Sequence, residues 1–210
     1  MLILASASPR RRELLHNAGI SFVVESTDIP EVPEPGEAPK AFVERLARVK
    51  ARAIAQHHRQ DFVLGADTTV VVGSEILNKP SDAAEAARML RRISGRTHQV
   101  ITGVCVITPA DLTQVRPENL EARTEIVRSE VTSVSFASLS DEDIDFYVNT
   151  GEPMDKAGAY GIQGFASRWI SRIEGDYFNV VGLPVALVYR MLREVGFGAK
   201  ENADPSLRSG

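Results

Sequence analysis

Cysteine occurs once in the 210 residues, which excludes an internal disulfide. Cys105 stands in the apolar run Val104-Cys105-Val106 with no basic neighbour in sequence, so it reads as a buried small hydrophobe rather than a catalytic thiol. Long apolar runs are absent as well. No stretch is long enough to span a membrane, and the first residues lack the charged lead and apolar centre of a signal peptide. A cytoplasmic protein with no membrane partner is therefore expected. Positive charge is not in excess: 24 Lys and Arg stand against 28 Asp and Glu, a net charge of −4. A chain with that balance is not built to coat a nucleic acid polymer. There is no Gly-x-Gly-x-x-Gly fingerprint, no Walker-type loop and no internal repeat. The histidines show no zinc spacing, and neither Ser6 nor Ser8 has a histidine close in sequence to activate it.

What remains is a globular composition, 43% apolar and 25% charged, with enough length for a sizeable core. Residues 1–197 are expected to form one domain and 198–210 a polar, frayed tail. Apolar patterning predicts a strand over Leu2 to Ala5, a helix over Pro9 to Ala18 and a β-like run from Ile20 to Val24. A helix follows over Ala41 to Gln56, with Phe42, Leu46, Val49 and Ala53 on one face. Phe62-Val63-Leu64 and Thr69 to Val72 read as strand interrupted at Gly65-Ala66-Asp67, then a hairpin returning through Glu75 to Leu77. Ser81 to Ile93 reads as helix, and Thr97 to Thr108 with Glu121 to Phe136 as antiparallel arms joined by a polar connection containing Pro109 and Pro117. Helices over Ser140 to Tyr147 and Leu183 to Val195 complete the series. Strands and helices interleave without strict βαβ alternation, which predicts an α/β fold with a mixed, elongated sheet and flanking helices.

The residues that can carry chemistry fall in three places. Ser8 suits an N-cap and Pro9 the first helical position, yet Arg10, Arg11 and Arg12 crowd the positive end of the helix dipole. A bound polyanion, phosphate first, would remove that conflict. Asp67, where a strand is expected to end, could bind a divalent cation or take a proton from water; it could equally cap its own turn. Glu31 could add an oxygen ligand, and Lys50 and Lys79 could add positive charge. Thirdly, Gly158, Gly161 and Gly164 surround Tyr160 and Gln163, which implies close approach of the backbone to something. The Gln163 amide offers the donor and acceptor that reading a nucleobase edge requires.

Ala5-Ser6-Ala7-Ser8-Pro9-Arg10-Arg11, Gly65-Ala66-Asp67-Thr68, Leu77-Asn78-Lys79-Pro80, Ser94-Gly95-Arg96-Thr97-His98, Asp155 through Gly164 and Val181-Gly182-Leu183-Pro184 follow one another in a set order. In that order the chain resembles the Maf-type nucleoside triphosphate pyrophosphatases, once called septum formation inhibitors, over roughly Leu2 to Val195. The resemblance implies a fold similar to inosine triphosphate pyrophosphatase, with two lobes around a cleft. It also implies hydrolysis of a nucleoside triphosphate to the monophosphate and pyrophosphate with a divalent cation, Mg2+, Mn2+ or Co2+. Carried over residue by residue, Asp67 is the catalytic base, Ser8, Arg11, Lys50 and Lys79 hold phosphates, and Asp67 with Glu31 binds metal. Pro30 stands where the family commonly has another acid. Arg10, Thr68 and Gln163 match the branch that prefers dTTP and UTP, whereas the branch resembling 7-methyl-GTP pyrophosphatases has Trp, Gln and Glu there. A house-cleaning role on modified pyrimidine nucleotides and a homodimer are further implications. The alternative is a nucleotide-binding regulator of cell division acting through partners, which the assembled Asp and Lys residues disfavour.

Overall fold

In the computed structural model, which describes residues 1–110 and 123–198, a mixed sheet of seven strands carries helices on both faces. β1 (Leu2–Ala5) lies between β2 (Val23–Val24) and β3 (Phe62–Val72), parallel to both. β4 (Glu75–Leu77) folds back antiparallel on the end of β3. β5 (Thr97–Ile107) and β6 (Glu125–Phe136) extend the sheet antiparallel from β3, and β7 (Ile170–Glu174) forms the far edge. The helices are α1 (Pro9–Asn17), α2 (Pro39–Ala55), α3 (Ala83–Ile93), α4 (Asp141–Asn149), α5 (Tyr177–Val181) and α6 (Val185–Glu194).

Side chains of β3 alternate between the two faces. Val63 and Val71 pack toward α2 on one face. On the other, Leu64 and Ala66 of β3 with Val104 of β5 pack against α1, α5 and α6, whereas Val70 and Val100 pack against α3, α4 and Tyr160. Between these two apolar groups stand Thr68 and Thr102, paired in register with their hydroxyls 2.9 Å apart. A polar seam thus divides the core on this face into two lobes, and the cleft opens above it.

The expected interruption of β3 at Gly65 does not occur. Gly65 is a point where α2 presses on the sheet, not a turn: a Cβ there would lie 2.2 Å from the Ala47 carbonyl oxygen. Gly103 of β5, the register partner of Asp67, serves the same purpose, with a Cβ position 2.3 Å from the Val43 carbonyl oxygen. The β-like run from Ile20 shrinks to Val23–Val24, and helix ends move by a residue or two. Cys105 is buried as expected, and burial pushes its thiol up to about 12. The connection containing Pro117, and the tail from residue 199 on, lie outside the described residues.

Candidate active site

β1 ends at Ala5 opposite Gly65, and β4 begins to pair only at Val70, so among the described residues no strand runs along that edge of β3 from Ala66 to Thr69. The start of α1 lies at this gap. Ser8 caps the helix by accepting from Arg11 N at 3.4 Å, and Ser8 N donates to Ser6 Oγ at 3.2 Å. A cavity of about 330 Å³ opens here, its wall including Ser8, Arg10, Asp67, Thr68, Lys79 and Gln163.

The arginines of α1 divide into three situations. Arg11 is buried and takes the place of the missing strand. Its Nη1 donates to Ala66 O at 2.9 Å and Ser6 Oγ at 3.2 Å, its Nε to Gly182 O at 2.8 Å, and its Nη2 to Thr68 Oγ1 at 3.0 Å. Burial pushes its guanidinium below the ordinary value, while Asp67 and Glu31 pull it back up. Arg10 reaches across the cleft, its Nη1 2.7 Å from Asp155 Oδ2 and its Nη2 3.2 Å from Asp155 O. Arg12 is exposed.

Asp67 points to the α2 face and is 5% exposed. The close approach of α2 over Gly65 and Gly103 brings Lys50 down to it, with Nζ 2.6 Å from Asp67 Oδ1. The same ammonium lies 2.5 Å from Glu31 Oε1, and Lys79 Nζ lies 3.1 Å from Glu31 Oε2. Alternating charges therefore run Asp67, Lys50, Glu31, Lys79. Asp67, Glu31 and Lys79 are on the cavity wall; Lys50 sits behind them. Burial pushes the Asp67 carboxyl up, against the pull of Lys50 and Arg11. Glu31 is less buried; burial would raise it, but Lys50 and Lys79 together hold it below the ordinary carboxylate value. A buried carboxyl with a raised pKa, on the wall of a polar cavity, is suited to taking a proton. Among the described residues, no group of three or more His, Cys, Asp or Glu side chains converges as a metal site.

The glycine-rich segment does contain close approaches, and they are to this chain's own side chains. A Cβ on Gly158 would lie 2.8 Å from Val70 Cβ, one on Gly161 2.6 Å from Lys156 Cε, and one on Gly164 2.0 Å from Glu152 Oε1. Gln163 is exposed at the cavity. All the candidate site residues, Ser8, Arg10, Arg11, Glu31, Lys50, Asp67, Thr68, Lys79 and Gln163, line this cavity or touch a residue that does.

Sequence reasoning passed over Asn78. Its Oδ1 accepts from Thr69 Oγ1 at 3.0 Å, its Nδ2 donates to Glu31 O at 3.4 Å, and its carbonyl accepts from Gly158 N at 3.1 Å. It ties β3, the Glu31 loop and the glycine-rich segment together, and in sequence it carries only the signal of a turn before Lys79-Pro80. Asp155, the partner of Arg10, is likewise legible only in three dimensions.

Comparison with known proteins gives one family model, Maf-like protein, matching residues 1–195. A dTTP/UTP pyrophosphatase of Koribacter versatilis (strain Ellin345) is 57% identical over 195 residues, covering 93% of this chain and 94% of that protein. A dTTP/UTP pyrophosphatase of Symbiobacterium thermophilum is 51% identical over 196 residues, covering 93% and 94%. Among solved structures, a HAM1 protein from Coxiella burnetii overlaps 92% of this chain and 98% of its own, at 17% identity and a TM-score of 0.47. No helix among the described residues is long and apolar enough to cross a membrane.

Proposed function

Because the chain belongs to the Maf-like family, we propose that it hydrolyses dTTP and UTP to the monophosphate and pyrophosphate. The relatives' names pair a deoxyribonucleotide with a ribonucleotide. Thymine and uracil share their O2, N3–H and O4 edge, so such a site reads that edge and ignores the 2′-hydroxyl and the 5-methyl group. Modified pyrimidine nucleotides that keep the edge are substrates of the same site, in a house-cleaning role.

The observation that carries the reading is Asp67. Its carboxyl is buried on the cavity wall, raised by that burial, with Oδ1 anchored 2.6 Å from Lys50 Nζ. In the proposed reaction a water attacks the α-phosphorus in line with the departing pyrophosphate, and Asp67 takes the proton that water loses. Ser8 and Lys79, on the wall, bind phosphate oxygens directly. Arg11 and Lys50, bonded to acceptors of this chain, add positive charge and hold Thr68 and Asp67 in place. Arg10, Thr68 and Gln163 set the choice of base. The enzyme is proposed to need a divalent cation, Mg2+, Mn2+ or Co2+. Glu31 and Asp67 suit it, since they already share one cation, the Lys50 ammonium, and two carboxylates with phosphate oxygens make a common Mg2+ site. When bound, such an ion supplies positive charge to the phosphoryl oxygens.

The test is Asp67→Asn, which keeps the shape and removes the base. Turnover of UTP, followed as phosphate release with added inorganic pyrophosphatase, is expected to fall by about 10²–10⁴-fold. The thermal unfolding transition is expected to stay cooperative. Near-normal turnover in a folded variant would take Asp67 out of the mechanism.

A further inference from the structure

Gln163 sits at the middle of a short loop, exposed at the cavity, with no hydrogen bond to its amide among the described residues. The backbone on either side of it is held. Gly161 N donates to the Tyr147 hydroxyl at 3.0 Å, and Phe165 N donates to Glu152 Oε2 at 3.2 Å. The two acceptors are themselves joined, since Tyr147 donates its hydroxyl proton to Glu152 Oε1 at 2.8 Å. Tyr147 is fully buried at the end of α4, its ring 5.5 Å from that of Trp169. Gly164 has no side chain because the Glu152 carboxylate occupies that space, and Gly161 none because Lys156 does. Lys156 in turn donates to Glu152 O at 2.7 Å.

We propose that Tyr147 and Glu152 are positioning residues that fix the height of Gln163 over the cavity, and so make its amide selective for a pyrimidine. This rests on the reading of Gln163 as a residue that contacts the base. Polarity alone does not separate the candidate bases. Guanine presents N1–H beside O6, and uracil presents N3–H beside O4, the same donor next to the same acceptor. A mobile amide pairs with either. The two edges differ in their distance from the sugar, because the purine carries an additional ring. An amide held at one height therefore accepts one edge and misses the other, and the clamp at residues 161 and 165 supplies that height. Cytosine presents the reversed pair, which an amide meets by turning over, so the clamp is not what excludes it.

The experiment compares kcat and KM for UTP and GTP in Tyr147→Phe and Glu152→Gln, each alone and combined with Gln163→Ala. Tyr147→Phe removes only the hydroxyl and keeps the ring on Trp169. Glu152→Gln keeps the volume, but its amide oxygen serves one of the two donors and not both. Each single variant is expected to lower the UTP preference over GTP roughly tenfold to a hundredfold, mainly by raising KM for UTP. In the Gln163→Ala background neither is expected to change the ratio further. A purely structural role would lower both substrates together, or lower the ratio equally with and without Gln163, and either result overturns the clamp. If Gln163→Ala alone leaves the ratio unchanged, the reading of Gln163 as the base contact fails instead. Glu152→Gln provides the same readout should Tyr147→Phe not fold.

Discussion

Asp67 and His98 are both buried, and burial drives each toward its neutral form, but among the described residues only Asp67 has charges to oppose it. Lys50 and Arg11 face Asp67. His98 meets the Tyr160 hydroxyl at 2.8 Å through Nε2, while its Nδ1 has no partner among the described residues. Burial alone therefore lowers the imidazole from 6.5 to about 4. The folded pKa lies below the unfolded one, so the unfolded chain takes up a proton first as the pH falls. The stability this group contributes is complete above the unfolded value and is lost as the pH drops to about 4. The loss amounts to about 3 kcal/mol over that window. His98→Phe is expected to be less stable near neutral pH, because Tyr160 loses its partner, yet to lose about 3 kcal/mol less on acidification. Urea unfolding of both proteins across the window checks this, since the carboxylates titrate in both and cancel in the difference. Parallel pH profiles would mean that His98 takes up its proton as readily in the folded protein as in the unfolded chain. At this scale the sequence shows which residues carry charge and not which ones meet: Tyr160 lies 62 positions from His98.

The elements most exposed to misreading are those that glycine interrupts. Alternation marks Phe62-Val63-Leu64 and Thr69 to Val72 as strand, and Gly65 between them reads as a break, because a glycine in a strand exposes backbone and lacks a side chain to pack. The missing side chain is the point. Gly65 of β3 and Gly103 of β5 let α2 lie close on the sheet, and that closeness sets Lys50 against Asp67. Helix, strand and glycines were each legible; their contact was not, because α2 and β5 are separated by the whole of β3 and α3 along the chain. The polar seam was hidden for a similar reason, since Thr68 and Thr102 satisfy a strand pattern whether they face a core or a cleft. Gly65→Ala places a Cβ 2.2 Å from the Ala47 carbonyl oxygen, which is backbone and cannot swing aside. It is expected to destabilise the protein by about 1–3 kcal/mol. In whatever fraction folds, α2 is displaced, so kcat is expected to fall as well, although the substituted residue is not on the cavity wall. An unchanged urea midpoint, or a destabilised variant with native kcat, would show that the contact of α2 with the sheet does not set the Asp67–Lys50 geometry.

Across the molecule, the same cleft that separates the lobes is bridged at its mouth by Arg10 and Asp155, residues 145 positions apart. Arg10 lies in the first turn of α1 in one lobe, and Asp155 leads into the glycine-rich segment of the other. The mixed sheet and its flanking helices follow from periodicity, but the bridge does not, because each partner alone reads as an exposed surface charge. Burial works to raise the Asp155 carboxyl, yet Lys156 and Arg10 outweigh it and hold it at about 2. This folded value lies below the ordinary 3.8, so the group stabilises the fold above that value and loses its effect as the pH falls to about 2. Asp155 has 60% of its side chain exposed, so solvent screens the pair and its worth near neutral pH is within about 1 kcal/mol. Asp155→Asn is therefore expected to unfold at a slightly lower temperature than the parent at neutral pH and low salt. The two midpoints should converge on acidification below the ordinary carboxylate value, and also at high salt, where an exposed ion pair is screened within about 3 Å at 1 M. A gap that persists under both conditions would mean that Asp155 holds the lobes by its size and hydrogen bonds rather than by its charge.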